Sequence, residues 1–409
     1  MKTVAIIGLG NRGGVYAKNM AKNEKVKIVS VCDIKQSELD RAHEVYGVEK
    51  ENLFLDENEF FKAKRADILF ITTMDEMHFR QTIKALDLGY DIVLEKPVSP
   101  IYEECKAIAE HAKKVGRKVV ICHNLRYTPF YQRFKKIINE GLIGEVVSME
   151  QSENVGYAHY MSSFIRGKWH NEEESSPILL QKTCHDMDII YWLLGKKCEQ
   201  LTSVGSLAYY TEKCAPKGST PRCKDCPITK CWHDARVHYT TWPGELGMPY
   251  GTPEDKETVL KYLDTVDYGK CVYHINNDVC DRQTVNLQFE DGVTANLLLH
   301  AFANGTHRIT KVYGTEGMIS GRLEKGIVTL ERYDGTKTVY DVNKEILDKS
   351  GHLGGDTKLV LDVVDYFVED KPALGLSFVE DSIYSHKLVF EAEKARKNGG
   401  CWVDPGRTI

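Results

Sequence analysis

The first 125 residues alternate short apolar runs with helical segments, and this order constrains the fold more than any other feature of the chain. Strands that alternate with helices build a parallel, doubly wound sheet, which binds ligands beyond the carboxyl ends of its strands. The apolar runs are Val4–Ile7, Val26–Cys32, Ala66–Thr72, Tyr90–Lys96 and Lys118–His123.

A glycine-rich turn follows the first apolar run. Gly8, Gly10 and Gly13 of GLGNRG match G-x-G-x-x-G, and Asp33 ends the second run 20 residues after Gly13. In such a turn the backbone and a helix N-terminus hold a pyrophosphate, and the acid binds the ribose hydroxyls. We therefore predict a Rossmann domain that binds NAD. The residue after Asp33 is apolar, so NADP is less favoured, although Lys35 keeps it open.

Polar residues follow several of these strands. Because the carboxyl ends of parallel strands meet at one edge of a sheet, we expect these residues to contact the cofactor. The residues predicted to bind it are Gly8, Gly10, Asn11, Arg12, Gly13, Asp33, Thr72, Thr73, His78, Glu95, Lys96 and Asn124.

After about residue 125 the pattern changes to alternation of polar and apolar residues, joined by EDG, YGTEG and YDG turns. This period of two predicts a large, mostly antiparallel sheet. The predicted fold class is α/β, with an N-terminal Rossmann doubly wound parallel sheet and a C-terminal α+β domain. We place the NAD-binding domain at 1–125 and the substrate domain at 126–409, with a cysteine-rich insertion at about 208–255.

The stretch PILLQKTCHDMDIIYWLLG predicts one helix from Pro177 to Gly195 that carries polar groups among apolar ones. Its start is indicated by Ser-Pro and its end by glycine. Lys182, His185 and Asp188 are spaced three apart, so they would share one helical face.

The motifs GLGNRG, VCD, TTMDEMH, LEKP and HNLRYTP, in this order, resemble the Gfo/Idh/MocA oxidoreductases, relatives of glucose-fructose oxidoreductase and inositol dehydrogenase. CHDMDIIYWLLG is similar to their catalytic helix. The resemblance implies that Lys96 lies between the nicotinamide and the substrate hydroxyl, and that His185 is the general acid/base. It also implies a homo-oligomer, a dimer or tetramer, formed through the C-terminal sheet.

One position departs from many inositol dehydrogenase relatives. They carry an Asp four residues before the histidine, and here that position is Gln181. Lys182 brings a second amine, so the predicted catalytic residues are Lys96, His185 and Lys182. Asp188 either orients His185 or caps a neighbouring backbone group.

The loop before this helix supplies candidate substrate-binding side chains. A tryptophan stacks on a pyranose face, and an arginine binds hydroxyls through two parallel donors. The alternative is a surface loop with one anchoring tryptophan. The predicted substrate-binding residues are Arg166, Trp169, Tyr157 and Gln181.

Four cysteines lie close together, spaced C-x8-C-x2-C-x4-C. Four thiolates satisfy tetrahedral zinc and leave no open position, so we predict a structural zinc site. Its ligands would be Cys214, Cys223, Cys226 and Cys231, with His233 as an alternative fourth ligand. Free thiols, a disulfide or an iron–sulfur cluster are the other interpretations.

The chain of 409 residues has a formal charge of −5, which indicates neither a nucleic-acid nor a membrane surface. No apolar run approaches the roughly 20 residues of a membrane span. We expect a cytoplasmic protein, where thiols stay reduced.

Three functions remain at this stage. The first is NAD-dependent oxidation of a secondary alcohol of a sugar, glycoside or cyclitol. The second is an NAD-dependent redox glycosidase or lyase that acts through a transient keto-sugar, for which Lys182 would supply the extra base. The third is a sensor that binds NAD without chemistry.

Overall fold

The computed structural model describes residues 1–242, 255–348 and 352–406, so residues 243–254 of the predicted cysteine-rich insertion lie outside the described residues. The strands are β1 (Lys2–Ile7), β2 (Val26–Cys32), β3 (Leu53–Phe54), β4 (Ile68–Ile71), β5 (Asp91–Leu94), β6 (Val119–Ile121), β7 (Val146–Gly156), β8 (Cys198–Ser206), β9 (Arg282–Phe289), β10 (Thr294–Ala303), β11 (His307–Gly314), β12 (Gly317–Arg322), β13 (Ile327–Arg332) and β14 (Lys337–Asp341). The helices are α1 (Asn11–Met20), α2 (Gln36–Tyr46), α3 (Glu57–Phe60), α4 (Asp75–Asp87), α5 (Tyr102–Val115), α6 (Pro129–Asn139), α7 (Tyr157–Tyr160), α8 (Ile178–Gln181), α9 (Cys184–Leu194), α10 (Ala235–Thr241), α11 (Lys256–Leu263), α12 (Gly355–Glu369) and α13 (Val379–Lys397).

The chain folds into two compact units, and the segments of the two units alternate along the sequence. Unit 1 contains Met1–Val147, Met187–Lys196 and Val312–Phe390, and unit 2 contains the remaining segments, Ser148–Asp186, Lys197–Lys311 and Glu391–Ile409. The predicted boundary at residue 125 falls inside unit 1, which continues past it and takes up two later segments.

The parallel sheet of unit 1 has the strand order β3-β2-β1-β4-β5-β6. This is the doubly wound order expected of a dinucleotide-binding fold. Successive residues of a strand point to opposite faces, and β1 shows this clearly. Val4 and Ile6 belong to one core cluster, whereas Ala5 and Ile7 belong to the other.

Residues from the C-terminal third complete both cores of this sheet. Leu359 and Val363 of α12 pack in the cluster that contains Val4, and Val379 of α13 packs in the cluster that contains Ala5. The parallel sheet therefore depends on chain far outside the first 125 residues.

The second sheet has eight strands in the order β14-β13-β12-β11-β7-β10-β9-β8. The pairs β8–β9, β9–β10, β12–β13 and β13–β14 are antiparallel, and β7–β10 is parallel. The predicted α/β class, with a mostly antiparallel C-terminal sheet, is confirmed. None of the helices in the described ranges is long and apolar enough to cross a membrane.

The helix predicted from Pro177 to Gly195 is interrupted. It consists of α8 and α9, with Lys182 and Thr183 between them. The Thr183 hydroxyl donates a hydrogen bond to the Leu179 carbonyl at 3.0 Å, and such bonds bend or interrupt helices. The prediction that Lys182, His185 and Asp188 share one continuous helical face is therefore wrong, because Lys182 lies between the two helices.

Candidate active site

The glycine-rich turn of unit 1 is shaped by close backbone contacts. Gly8 has a φ of +87°, and a Cβ at Gly13 would lie 2.1 Å from the Gly8 carbonyl oxygen. Gly10, in contrast, has open space where its Cβ would lie. The helix α1 begins directly after Gly10 with no side-chain cap, so its first amide groups remain available to a ligand anion. These features fit a dinucleotide pyrophosphate.

Asp33 stands beside this turn at the end of β2. One carboxylate oxygen accepts a hydrogen bond from the Leu9 amide at 2.7 Å, and the other accepts one from the Lys35 amide at 2.9 Å. The carboxylate is thereby held next to the glycine-rich turn, where it fits ribose hydroxyls. Arg41 also reaches this turn, donating to the Leu9 carbonyl and pairing with Glu38 at 2.6 Å.

The Glu95-Lys96-Pro97 segment follows β5, and its backbone is held by two buried histidines. The Nδ1 atom of His78 lies 2.8 Å from the Pro97 carbonyl oxygen, and Nε2 of His386 accepts a hydrogen bond from the Val98 amide at 3.0 Å. The Lys96–Pro97 peptide bond is cis. The backbone directly after Lys96, at Pro97 and Val98, is therefore held in place.

A buried polar network holds Glu95. Arg12 donates to Glu95 at 2.9 Å and to the two oxygens of Asp356 at 3.0 and 2.7 Å, and the Tyr16 hydroxyl donates to Glu95 at 2.5 Å. Burial alone would raise the pKa of Glu95, but the Arg12 charge and the Tyr16 hydroxyl outweigh it and lower the pKa. Asn124 donates to Asp356 in the same network. Arg12 and Asn124, predicted to bind the cofactor, thus position the Glu95 loop.

The other predicted cofactor residues also lie at the carboxyl edge of the parallel sheet. The Thr72 hydroxyl donates to the Gly8 carbonyl at 2.5 Å, which ties the end of β4 to the glycine-rich turn. The Thr73 hydroxyl donates to Gln81 at 2.6 Å. Asn11 is exposed at the start of α1.

A second buried polar cluster in unit 1 contains Asp188. Arg126 donates to both of its carboxylate oxygens at 2.7 and 2.6 Å, and His123 Nδ1 lies 3.6 Å from it. Burial would raise the pKa of Asp188, but Arg126 and His123 lower it below its ordinary value. Asp188 is therefore an ion-pair partner of Arg126, and its orientation of His185 stays a prediction.

Unit 2 brings Lys182 together with two other titratable side chains. Its Nζ atom lies 3.5 Å from a carboxylate oxygen of Glu153 and 3.4 Å from Nε2 of His159. Glu153 is completely buried and also pairs with Arg308 at 2.9 Å. Lys182 is partly exposed. An amine, an imidazole and a carboxylate in contact can relay a proton.

His185 is buried in the first turn of α9. The neighbouring Asp186 is held by Arg308 at 2.9 and 3.1 Å, and it accepts a hydrogen bond from Gln151 at 2.7 Å. These contacts fix the start of α9 within unit 2, so the backbone that carries His185 is anchored.

The predicted substrate-binding side chains have different surroundings. Arg166 is 3% exposed and donates to the carbonyl oxygens of Lys270 and His233, and its recognition of substrate hydroxyls stays a prediction. Trp169 stacks on Phe164 with ring centroids 5.9 Å apart.

The other two predicted substrate residues also have partners in unit 2. Gln181 donates to the Ser176 hydroxyl at 2.8 Å, and Tyr157 packs beside His233 with ring centroids 6.2 Å apart. Tyr157 is partly exposed and Gln181 is buried. A substrate-binding role for Gln181, Tyr157 and Trp169 stays a prediction.

The four cysteines of the predicted zinc site do not lie together. Cys223, Cys226 and Cys231 line one cavity, whereas Cys214 is exposed and its Sγ lies 3.5 Å from the Ala208 carbonyl oxygen. In the described parts of the chain, no three His, Cys, Asp or Glu side chains are arranged to hold a metal ion as they stand.

The sequence matches one family along most of its length. Residues 2–123 match the oxidoreductase family, NAD-binding Rossmann fold, and residues 135–404 match the oxidoreductase family, C-terminal alpha/beta domain. The chain belongs to the Gfo/Idh/MocA oxidoreductase family. The predicted family and the predicted class, an oxidoreductase with an NAD-binding Rossmann fold, are confirmed.

Relatives in this family act on different molecules. The chain is 24% identical to YteT of Bacillus subtilis over 326 residues, covering 75% of this chain and 74% of that protein. It is 26% identical over 194 residues to an inositol 2-dehydrogenase/D-chiro-inositol 3-dehydrogenase of Lactiplantibacillus plantarum, covering 47% of this chain and 52% of that protein. It is 26% identical over 205 residues to a 2,7-anhydro-N-acetylneuraminate hydratase of Escherichia coli, covering 50% of this chain and 53% of that protein. The alignments to the dehydrogenase and the hydratase thus span about half of each protein.

Solved structures share the fold. An oxidoreductase from Agrobacterium radiobacter, in complex with NAD+, L-tartaric acid and magnesium, has a TM-score of 0.73 at 17% identity, covering 100% of this chain and 99% of that chain. A scyllo-inositol dehydrogenase from Lactobacillus casei, with bound NAD(H) and scyllo-inositol, has a TM-score of 0.66 at 18% identity, covering 99% of each chain.

Several residues that contact the predicted site residues or their neighbours are not indicated by the sequence. Asp356, His386 and Arg308 lie in the C-terminal half and meet their partners only through the fold. Arg41 could have been suspected, because a basic residue on the helix after Asp33 can approach the nucleotide.

Proposed function

We propose that this protein is an NAD-dependent dehydrogenase that acts on a secondary alcohol of a sugar, glycoside or cyclitol. The observation that carries the proposal is the position of Lys96. It follows β5 at the carboxyl edge of the parallel sheet, where the glycine-rich turn and Asp33 also lie. Its loop is held by His78 and His386.

The nicotinamide group would accept a hydride from the alcohol carbon. Within the chain, an ammonium at Lys96 would bind the hydroxyl oxygen and help to remove its proton. Glu95 accepts a hydrogen bond from the Lys96 amide at 3.0 Å, which supports a fixed orientation of the lysine backbone. We propose His185 as the general acid/base.

Asp33 supports NAD as the cofactor. A carboxylate binds two ribose hydroxyls well but repels a 2′-phosphate. Asp33 is fixed by the Leu9 amide beside the glycine-rich turn. Arg41 is the side chain that keeps NADP as the alternative, since it also reaches this turn.

The proposal is tested by incubating the full chain and NAD with a panel of inositols, aldoses and glycosides. Growth of NADH absorbance with at least one of them supports a dehydrogenase. A parallel series with NADP tests the cofactor. Release of an aglycone or water without net NADH would favour the second candidate, and the absence of turnover with every compound would favour a binding protein.

The second candidate is a redox-assisted lyase or glycosidase that passes through a transient keto-sugar. The contact of Lys182 with Glu153 and His159 favours it, because elimination needs a further base beside the carbonyl. In a Lys182→Gln variant, elimination should fall by about 10²–10⁴-fold while NADH formation from a simple alcohol persists. Equal loss of both would mean that Lys182 serves oxidation itself.

We also propose that the chain forms a homo-oligomer through the eight-stranded sheet. Leu298 on β10 and Ile309 on β11 are exposed apolar side chains, which supports a covered surface. Light scattering should give a dimer or tetramer for the wild type and a smaller mass for Leu298→Lys with Ile309→Lys. Val237→Lys, at an exposed position outside the sheet, is the matched control.

A further inference from the structure

Four cysteine side chains in unit 2 line one small cavity. Cys223, Cys226 and Cys231 come from the predicted cluster, and the fourth is Cys271, forty residues further along the chain. The cavity encloses about 20 Å³, close to the space that one water-sized particle needs. Cys214, the fourth member of the sequence cluster, does not line it.

The backbone explains why Cys271 joins the other three. Arg222 and Lys270 form an antiparallel bridge, and the Cys271 amide donates to the Pro221 carbonyl at 2.9 Å. The Arg222 guanidinium also donates to the carbonyls of Leu263 and Val266, at 2.5 and 2.7 Å. Cys271 is thereby placed next to the turn that carries the C-x2-C pair.

Two buried polar side chains beside the cysteines are incompletely paired within the described residues. His233 is 7% exposed and lines the cavity, and its Nδ1 atom has no hydrogen-bond partner among the described residues. Arg166 lies 3.7 Å from the Cys223 sulfur, and no carboxylate in the described residues forms an ion pair with it. Because a buried charge needs compensation, thiolates are the groups available to balance this guanidinium.

Cys223 belongs to a small apolar cluster that has five buried members among the described residues, whereas Cys271 belongs to a larger one. The small cluster supplies little apolar burial around the C-x2-C pair. Its members are Cys223, Ala235, Tyr239, Val259 and Leu263.

We propose that Cys223, Cys226, Cys231 and Cys271 bind one thiophilic divalent cation of the zinc class as a closed tetrathiolate. The thiols do not yet surround a common point, so binding requires them to rotate about χ1 into the cavity. Four thiols release four protons and the complex carries a charge of about −2, which Arg166 partly balances. With four protein ligands the ion has no open position, so its role is structural.

Metal analysis of the full chain, purified without added metal, tests this proposal. We expect one zinc per chain in the wild type and in Cys214→Ser, and less than one tenth of that in Cys271→Ser. Retention in Cys271→Ser with loss in Cys214→Ser would overturn the ligand set. A wild type with no stoichiometric metal would overturn the site.

Thiol labelling of the wild type is a second test of the ligand set, and it does not require Cys271→Ser to fold. In the zinc-loaded chain, Cys214 and the exposed Cys401 should alkylate at least ten times faster than the four cavity cysteines. Chelation should abolish the difference. Protection that survives chelation with a mass lower by two hydrogens would identify a disulfide and overturn the proposal. Metal content is independent of turnover, so this outcome does not depend on the proposed dehydrogenase activity.

Discussion

Arg126 and Asp188 form a bidentate ion pair inside unit 1, with both side chains almost completely buried. The Arg126 Nε and Nη2 atoms lie 2.7 and 2.6 Å from the two carboxylate oxygens. This pair links the segment after β6 to the helix α9. An isolated buried charge is far more costly than the intact pair, so each partner depends on the other.

Asp188→Asn should therefore destabilise the protein by roughly 3–5 kcal/mol, because it leaves the Arg126 charge buried without a counter-charge. Urea unfolding at pH 7 measures the change in the free energy of unfolding. Glu257→Gln removes the exposed pair between Lys261 and Glu257 and should change stability by at most about 1 kcal/mol. Equal effects of the two substitutions would contradict the importance of the buried pair.

Stability should fall as the pH drops below about 6.5, the ordinary pKa of histidine. Burial lowers the pKa of His123 to about 3 and that of His386 to about 4, although Asp188 opposes the shift in both. The Arg126 charge lowers the pKa of His123 further, and the Lys96 charge lowers the pKa of both histidines. Between these pKa values and pH 6.5 the unfolded chain binds more protons than the folded chain. The stabilisation that the neutral histidines contribute is therefore complete above pH 6.5 and is lost toward pH 4.

Each such histidine should contribute a slope of about 1.4 kcal/mol per pH unit in that range. His386→Gln keeps an acceptor for the Val98 amide but cannot titrate, so its stability should vary less between pH 6 and pH 5. His111→Gln, at a partly exposed position, is the control. Urea unfolding across this range would refute the expectation if His386→Gln and the wild type had the same slope.

Lys96→Met should lower kcat for alcohol oxidation by about 10²–10⁴-fold, because the variant cannot bind the hydroxyl oxygen or assist proton removal. NADH binding, followed by fluorescence titration, should weaken far less than kcat falls, because the glycine-rich turn and Asp33 are unchanged. Lys18→Met, on α1 and exposed, serves as the control substitution. Full turnover by Lys96→Met on a substrate of the wild type would exclude Lys96 from the chemistry.

Asp33→Asn should weaken NADH binding roughly 10- to 100-fold, since hydrogen bonds to a charged group contribute about 1.5–3 kcal/mol. The preference for NAD over NADP should shrink in the same variant. Asp40→Asn on the exposed side of α2 tests whether loss of any nearby charge has the same effect. Unchanged NADH affinity in Asp33→Asn would show that the carboxylate does not bind the ribose.

Some parts of the site could be predicted because their signals are local. The glycine spacing, the acid after the second strand and the Glu-Lys-Pro segment each lie within a few residues of a strand end. The helix from Pro177 to Gly195 was predicted as continuous, because its apolar pattern does not reveal the hydrogen bond between Thr183 and Leu179. The metal ligands were grouped by nearness in sequence, which selected Cys214 instead of the proposed Cys271.

The sequence by itself determined the strand and helix alternation, the dinucleotide turn, Asp33 and Lys96, since each rests on a short repeat or motif. Only the tertiary structure decided that Arg12 meets Asp356 across 344 residues and that Val98 meets His386 across 288. It likewise decided that α12 and α13 complete the first sheet and that Cys271 lines the cysteine cavity. Contacts between distant residues leave no periodic pattern along the chain, because they arise only when several elements pack together.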